Sequence, residues 1–319
     1  MKYYISADGG GTKLISILFD ENFRLRGVGR SGSVNVNFAS REEVRRHMEE
    51  SIGECLKTAR PESLEMVYFA GPGPVDLYEE VLRGMVKTAA VTRLSEGAQC
   101  VYAGLLKDSG IAAIAGTGSS AFCVKQGECK RLIGGWGSLV GDEGSGYDIG
   151  RLGIRAAIGA YEGREQKTRI LELLYDTFQI TDMRQMVPII YGKNYRQVIS
   201  GVCRLVAQAA GENDPAAVRI FKEAGAIQAK QVADAVRLEY KGGNPEVVIA
   251  GNAWKGSAVM FQTFRDRLKE ACPEVSVYQP IFLPAIGGVI CRLLKDGPID
   301  EAKRNFLKEE YGQFLYEGV

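Results

Sequence analysis

Short apolar segments around a glycine-rich turn occur twice along the chain. The first set covers residues 3–5, 14–19 and 25–28, around a turn that runs from Asp8 to Lys13. The second covers residues 111–115, 121–124 and 131–133, around a turn that runs from Gly116 to Ser120. Their lengths and bounding turns predict strands. The sequence therefore predicts one unit of strand, turn, strand, turn and strand that is used twice.

Helical spacing of apolar residues follows both units. After the first unit, Ser40 and Glu43 predict a capping box, and strands at 66–69 and 90–92 alternate with helices at 77–86 and 97–107. After the second, the pattern predicts helices at 147–161, 166–178, 182–190 and 195–210, a long helix begun by Asp214 and Pro215, and a strand at 247–250. This alternation predicts an α/β fold with a partly parallel sheet and a helical insertion in the second half.

Composition narrows the possible functions. With 319 residues the chain is long enough for two domains, and 40 Lys plus Arg against 39 Asp plus Glu give no basic face for nucleic acid. Because no signal segment or membrane span is recognisable, we expect a cytoplasmic protein that binds no membrane. The seven cysteines are scattered, and His47, the single histidine, falls in a predicted helix without a catalytic task.

The two glycine-rich turns are candidate phosphate loops. Without side chains in the way, successive backbone N–H groups can surround an anion, and a threonine hydroxyl adds a donor. Each turn taken alone is equally compatible with a simple hairpin. Their duplication favours phosphate binding.

The densest signal is a glycine-rich segment at residues 134–147. Asp142 and Glu143 can accept hydrogen bonds from hydroxyl groups, and Trp136 can pack on a sugar ring. The many glycines suit a ligand that approaches the backbone closely. The alternative is an exposed turn with Trp136 packed as an anchor. The segment favours a sugar ligand.

These motifs together resemble those of the N-acetylglucosamine kinase and BadF/BadG/BcrA/BcrD-type ATPase family. The resemblance extends over nearly the whole chain and is weakest at residues 163–195. It implies duplicated ribonuclease-H-like domains of the actin and hexokinase type flanking a cleft, at residues 1–110 with a C-terminal helix at 298–319 and at residues 111–297. It also implies ATP and Mg²⁺ as cofactors, a small amino sugar as substrate, and a homodimer.

The resemblance assigns roles to particular residues. The implied phosphate loops are Gly10, Gly11, Thr12 and Lys13, and Gly116, Thr117, Gly118 and Ser119; the implied adenosine pocket is Gly251 and Asn252 with Gly287 and Gly288. Asp8 lies where the family has a carboxylate near the metal, which agrees with the preference of Mg²⁺ for one or two carboxylates, waters and phosphates. The implied sugar contacts are Asn35, Thr117, Trp136, Gly137 and Asp142.

One residue departs from the family pattern. The general base of the family is an aspartate between a strand and a helix, and Glu96 stands in its place. A longer carboxylate accepts the proton of the attacking hydroxyl only if the sugar sits further back. A structural alternative is that Glu96 is simply an acid favoured at a helix start.

Three functional classes follow. The first is an ATP-dependent kinase of an amino sugar, with N-acetylglucosamine leading and N-acetylmuramic acid or glucosamine as alternatives. The second is an ATPase activator of an iron–sulfur dehydratase or reductase, for which Cys123 and Cys129 are the nearest cysteine pair. The third is a sensor that binds sugar and ATP without turnover. The Trp136 and Asp142 segment favours a sugar ligand and so disfavours the activator, whereas the sensor follows only from the Glu96 departure; the kinase is the preferred prediction.

Overall fold

The computed structural model describes residues 1–37, 39–241 and 243–318. Strands are β1 (Tyr3–Gly9), β2 (Leu14–Asp20), β3 (Leu25–Ser31), β4 (Ser63–Leu64), β5 (Met66–Ala70), β6 (Lys87–Thr88), β7 (Val91–Leu94), β8 (Gly110–Ala115), β9 (Ser119–Lys125), β10 (Glu128–Gly134), β11 (Glu246–Ala250) and β12 (Ser276–Tyr278). Helices are α1 (Arg41–Leu56), α2 (Val75–Met85), α3 (Glu96–Leu105), α4 (Gly146–Tyr161), α5 (Arg169–Phe178), α6 (Met186–Ile190), α7 (Tyr195–Gly211), α8 (Pro215–Ala235), α9 (Ala258–Ala271), α10 (Gly287–Leu294) and α11 (Glu301–Glu310).

Two five-stranded sheets share one strand order. The first is β3-β2-β1-β5-β7 and the second is β10-β9-β8-β11-β12. In the first sheet, β1 and β2 are antiparallel, as are β2 and β3, whereas β1, β5 and β7 run parallel. In the second, β8, β11 and β12 run parallel. The three-stranded unit predicted twice from the sequence is therefore observed twice, each time extended by a parallel part.

The chain divides into two compact units. Unit 1 contains residues 1–110, 124–130 and 280–317, and unit 2 contains residues 111–123, 131–279 and 318. The expected domain limits, 1–110 with 298–319 and 111–297, stay a prediction; Val319 lies outside the described residues. Each unit has its own apolar core. In unit 2 the core includes the buried Trp254, which packs edge-on against Phe264 with 5.0 Å between ring centroids.

Helix starts follow the predicted caps. The capping box of Ser40 and Glu43 begins α1, Ser145 caps α4, and Asp214 caps α8 with Pro215 at its first turn. The predicted helix at 182–190 is wrong in detail, because a 3-10 turn capped by Asp182 precedes α6. Pro188 has no N–H to donate four residues back, which explains the interruption. No helix within the described ranges is long and apolar enough to cross a membrane.

Candidate active site

In unit 1, two carboxylates lie at the carboxyl edge of the parallel strands. Asp8 near the end of β1 pairs with Ala70 in β5, and Ala70 pairs with Leu94 in β7. Glu96 begins α3 only two residues after Leu94, and the Ser95 side chain caps that helix. Ligands of α/β folds bind at this edge, beyond the carboxyl ends of the strands. The fold therefore brings together the two candidate catalytic residues, which are 88 positions apart in the sequence.

The electrostatic environment of Asp8 and Glu96 is compatible with binding a cation or with accepting a proton. Burial raises the pKa of Asp8 to about 7; the positive charge of Lys13 opposes this shift, and the negative charge of Glu96 adds to it. Burial also raises the pKa of Glu96, against the attraction of Arg93. Both carboxylates are costly to ionise without a positive partner. Perturbation by burial and by a like charge is typical of functional sites.

The side chains of this site could hold Mg²⁺ only together with phosphates and waters. Among residues 1–37, 39–241 and 243–318, no three His, Cys, Asp or Glu side chains form a group that could hold a metal ion. Mg²⁺ in nucleotide sites takes one or two carboxylates, and the phosphates and waters complete its shell. Asp8, with its charge opposed by burial and by Glu96, fits such a role.

The first glycine turn and Asn35 lie close together in unit 1. The Gly10 N–H donates to the Lys13 carbonyl at 2.8 Å, and the Val34 N–H donates to the Gly10 carbonyl at 3.2 Å. The Asn35 Oδ1 accepts the N–H of Asn37 at 2.9 Å, which fixes the orientation of its side chain. The Thr12 and Lys13 side chains of the turn are exposed. The predicted sugar contact Asn35 is thus held beside the predicted phosphate turn.

In unit 2, the second glycine turn is tied to Asp142. The Ser119 N–H donates to Asp142 Oδ1 at 3.3 Å, and the Ser119 Oγ donates to the Glu143 carbonyl at 2.8 Å. A Cβ on Gly118 would lie 2.9 Å from Asp142 Oδ2, so only glycine permits this approach without displacement. The Gly116 N–H donates to the Gly118 carbonyl at 2.9 Å, and both hydrogen-bond donors of Ser119 are likewise engaged within the unit, which leaves Ser119 less to offer a phosphate. Its role as a phosphate ligand stays a prediction.

Asp142 itself is buried and strained. Its φ of 60° lies in the left-handed region, which a non-glycine residue adopts at some cost. Burial raises the pKa of Asp142, whereas the N–H groups of Ser119 and Gly137 and the charge of Arg196 oppose that shift. These groups therefore favour one orientation of the Asp142 carboxylate. A residue that forms a hydrogen bond to a ligand hydroxyl requires such a fixed orientation.

The loop before Asp142 presents apolar side chains outward. Trp136, Leu139 and Val140 are each 79% exposed, although they occupy one short glycine-rich segment. The alternative in which Trp136 is a packed anchor is therefore wrong for this chain, since its ring is not buried. Clustered exposed apolar groups mark surfaces that meet a ligand or partner. The geometry is compatible with the predicted sugar contacts of Trp136 and Gly137, which stay predictions.

The glycines predicted for the adenosine pocket differ in their surroundings. Gly251 has φ 99°, and Asn252 next to it is exposed in unit 2. Gly287 and Gly288 are buried in unit 1, where the Gly288 N–H donates to the Ser6 Oγ at 2.9 Å. A Cβ on Gly287 would lie 2.4 Å from the Gln99 Cγ. Close packing of α10 is thus a sufficient structural reason for these two glycines, and their nucleotide role stays a prediction.

Substitution of Gly251 by alanine is expected to destabilise unit 2 by about 2–4 kcal/mol, because alanine would have to keep a φ of 99°, which residues with a side chain rarely adopt. The new Cβ would also lie 2.3 Å from the Ala115 carbonyl oxygen. Urea denaturation measures the effect. Gly163→Ala is the matched control, because Gly163 also has positive φ but no atom within 4 Å of the added Cβ. Equal losses in the two variants would contradict the steric argument.

The cysteines give no support to an iron–sulfur activator. Cys123 is buried, and its Sγ approaches the Ala235 carbonyl at 3.9 Å, whereas Cys129 is exposed in β10. A cluster shared between subunits requires thiolates at a surface. Cys123 does not meet that requirement.

Comparison with known proteins agrees with this geometry. A kinase of Clostridium acetobutylicum that acts on N-acetylmuramic acid and N-acetylglucosamine is 29% identical over 305 residues, which cover 91% of this chain and 98% of that protein. A solved structure from Porphyromonas gingivalis, provisionally named an N-acetylglucosamine kinase, has a TM-score of 0.68 at 19% identity and covers 93% of this chain and 99% of its own. A glucokinase of Streptomyces griseus solved with glucose and AMPPNP has a TM-score of 0.58 at 15% identity, with 92% and 100% covered.

The two solved structures confirm the expected α/β fold class, and the Clostridium acetobutylicum kinase supports a sugar phosphotransferase. The profile of the BadF/BadG/BcrA/BcrD ATPase family matches residues 7–291, which is most of the chain. The chain therefore belongs to the BadF/BadG/BcrA/BcrD ATPase family.

Proposed function

We propose that this protein is an ATP-dependent kinase that phosphorylates a hydroxyl group of an amino sugar, with N-acetylglucosamine as the leading acceptor. The observation that carries the proposal is the pair of Asp8 and Glu96 at one edge of the first sheet, each with a pKa raised by burial. The amino sugar kinase of Clostridium acetobutylicum, matched over nearly its whole length, supports the class of acceptor.

In this proposal Glu96 accepts the proton of the attacking hydroxyl. A carboxylate with a raised pKa is a stronger base at neutral pH than an ordinary glutamate, provided that it is deprotonated. The backbone of the first glycine turn and the exposed Lys13 would hold phosphate oxygens, and Asp8 would orient the hydrated metal. Bound Mg²⁺ would supply positive charge against the β- and γ-phosphates.

The candidate sugar contacts Asp142 and Trp136 belong to unit 2. Asp142 is fixed by the Ser119 amide and can accept hydrogen bonds from sugar hydroxyls, and the exposed Trp136 ring can cover an apolar sugar face. Within unit 2, the Thr117 and Gly118 N–H groups of the second glycine turn are the candidate backbone donors for phosphate. The homodimer that the family resemblance implies and the cytoplasmic location expected from the sequence stay predictions.

The experiment that tests the proposal is an ADP-release assay with Mg-ATP. The acceptors are N-acetylglucosamine, glucosamine, N-acetylmuramic acid, N-acetylmannosamine and glucose. We expect turnover with at least one amino sugar that exceeds turnover with glucose. Binding of sugar without ADP release would favour the sensor. ADP release at the same rate with and without every sugar would contradict a sugar kinase.

The pH dependence of kcat is expected to show an acidic limb with its midpoint above 4.5, the ordinary pKa of glutamate, because burial raises the pKa of Glu96. Protonation removes the base, so kcat falls as the pH is lowered through that raised value. Steady-state rates at saturating substrate from about pH 5 to about pH 9 measure the limb. A flat profile across this range would speak against a buried carboxylate base.

A further inference from the structure

The segment that carries Asn35 connects β3 to α1 in unit 1, and residues 32–37 of it form neither strand nor helix. Because such a segment lacks the regular hydrogen bonds of a strand or a helix, its position depends on individual contacts. Val34 is fully buried, and its N–H donates to the Gly10 carbonyl at 3.2 Å. A Cβ on Gly9 would lie 2.4 Å from the Val34 Cγ2. The segment is therefore packed directly on the first glycine turn.

His47 of α1 holds the same segment through Ser33. The His47 Nδ1 lies 2.7 Å from the Ser33 carbonyl oxygen. Because a carbonyl oxygen can only accept, Nδ1 carries a proton and donates it. The Ser33 Oγ donates to the Gly10 carbonyl at 3.3 Å and accepts the Asn35 N–H at 3.1 Å. His47 is thus linked through one residue both to the first glycine turn and to Asn35.

Gly32 leaves room for the imidazole ring. A Cβ on Gly32 would lie 2.6 Å from both the Cε1 and the Nε2 of His47. The φ of Gly32 lies outside the left-handed region, so the backbone itself would accept a side chain at this position. Close packing of the half-buried ring is therefore the structural reason for a glycine here.

The packing of α1 does not depend on this histidine. Val44, Met48 and Ile52 are fully buried and attach the helix to the core of unit 1. His47 lies beside this apolar face and is only half-buried. Its hydrogen bond to Ser33 therefore acts on the connecting segment more than on the helix.

We propose that His47 is a positioning residue for the acceptor, which fixes through Ser33 the backbone that carries Asn35 and so contributes to the affinity for the sugar. The inference rests on the amino sugar kinase activity proposed above and on Asn35 as a sugar contact. The first glycine turn has a further hydrogen bond of its own, from the Gly10 N–H to the Lys13 carbonyl at 2.8 Å. Loss of the imidazole is therefore expected to weaken sugar binding more than binding of Mg-ATP.

The first test is the affinity of His47→Ala for the sugar, measured by calorimetric titration without nucleotide. The ligand is the amino sugar of the panel that the wild type binds most tightly, which we expect to be N-acetylglucosamine. Kd and KM for this sugar are expected to rise about three- to tenfold, as for loss of one hydrogen bond. By contrast, kcat and KM for Mg-ATP are expected to stay within about twofold of the wild type.

His47→Asn is the rescue variant, because a side-chain amide N–H can replace the Nδ1–H and donate to the Ser33 carbonyl. Its Kd for the sugar is expected to lie closer to that of the wild type than to that of His47→Ala. Glu49→Ala is the matched control, since Glu49 is exposed on the same helix, two residues further on. It is expected to change Kd by less than about twofold.

Two further variants test the path from the ring to the sugar. Gly32→Ala keeps the imidazole but displaces it, so its Kd for the sugar is expected to rise as in His47→Ala, and the two changes together are expected to add little. Asn35→Ala removes the sugar contact itself. If His47 acts through Asn35, adding His47→Ala to Asn35→Ala is expected to raise Kd little further, because the two effects are coupled.

The possible results separate the inference from the proposed function. An unchanged Kd in His47→Ala, or full additivity of His47→Ala with Asn35→Ala, would overturn the inference and leave the kinase proposal standing. Equal losses for sugar and Mg-ATP would do the same, since His47 would then only maintain the fold. Sugar binding without turnover would overturn the kinase proposal, and the Kd values would still decide the role of His47. If the wild type binds no sugar of the panel, both proposals fail. If His47→Ala does not fold, Gly32→Ala decides by the same measurements.

Discussion

Glu96→Gln is expected to lower kcat by about 10²- to 10⁴-fold, because the amide cannot accept the proton of the attacking hydroxyl. The amide has nearly the shape of the carboxylate, and Ser95 continues to cap α3, so the fold is expected to remain intact. The affinity for the sugar, measured by calorimetry without nucleotide, is expected to change little. Steady-state ADP release at saturating sugar and Mg-ATP measures kcat.

The control for this variant is Glu62→Gln, an exposed glutamate in the same unit. It is expected to keep kcat within about twofold, as do most surface substitutions. Glu96→Asp tests whether the longer side chain is needed. Because the shorter side chain displaces the carboxylate, kcat is expected to fall on the order of 10²-fold. If Glu96→Gln retains full activity, Glu96 is a helix-start acid and Asp142 becomes the next candidate base.

Asp8→Asn is expected to lower kcat/KM for Mg-ATP by about 100-fold or more, because a neutral amide cannot orient the hydrated metal as a carboxylate does. The loss is expected to persist when the Mg²⁺ concentration is raised, since the affected step is orientation as well as binding. A titration of initial rate against Mg²⁺ at fixed ATP measures the effect. If Asp8→Asn keeps the wild-type kcat/KM for Mg-ATP, Asp8 has no role at the metal site.

Stability shows whether this variant is folded. The pKa of Asp8 is about 7 in the folded protein against an ordinary value of 3.8. A raised pKa means that the folded state favours the protonated carboxyl, so this contribution to stability is complete below pH 3.8 and is lost as the pH rises through about 7.

Without Mg²⁺ at about pH 8, Asp8→Asn is therefore expected to be more stable than the wild type by on the order of 1–3 kcal/mol. The difference should vanish at about pH 4, where the wild-type carboxyl is also largely neutral. Urea denaturation at both pH values measures this. If Asp8→Asn is less stable than the wild type at both pH values, its loss of activity would come from misfolding. Its kinetics would then not test whether Asp8 orients the metal.

Local sequence was sufficient to predict most of the helix starts and glycine turns. The capping box of Ser40 and Glu43, the N-cap at Asp214 and the two glycine turns depend on contacts within a few residues, so their side chains predict them directly. The prediction failed at residues 182–190, where Pro188 removes one hydrogen-bond donor and a 3-10 turn precedes the helix. The duplicated unit was predictable because both copies show the same spacing of apolar runs.

The grouping of site residues was only partly predictable. Asp8 and Glu96 became candidates through the family resemblance, but their shared edge depends on the parallel register of β1, β5 and β7. Arg196 had no signal in the sequence, since it lies 58 residues from Ser138 and belongs to a helix with ordinary amphipathic spacing. The packing of Gly287 against Gln99 was equally hidden.

The sequence by itself determined the repeated strand units, the helix caps and the glycine turns, because each of these follows from short-range stereochemistry, and the family resemblance of its motifs singled out the candidate acids. Tertiary structure alone decided which carboxylates share an edge, how burial raises their pKa values, and that Arg196 meets the loop at Ser138. The physical reason is that burial and charge coupling depend on distances between segments far apart in the chain, which local patterns do not encode.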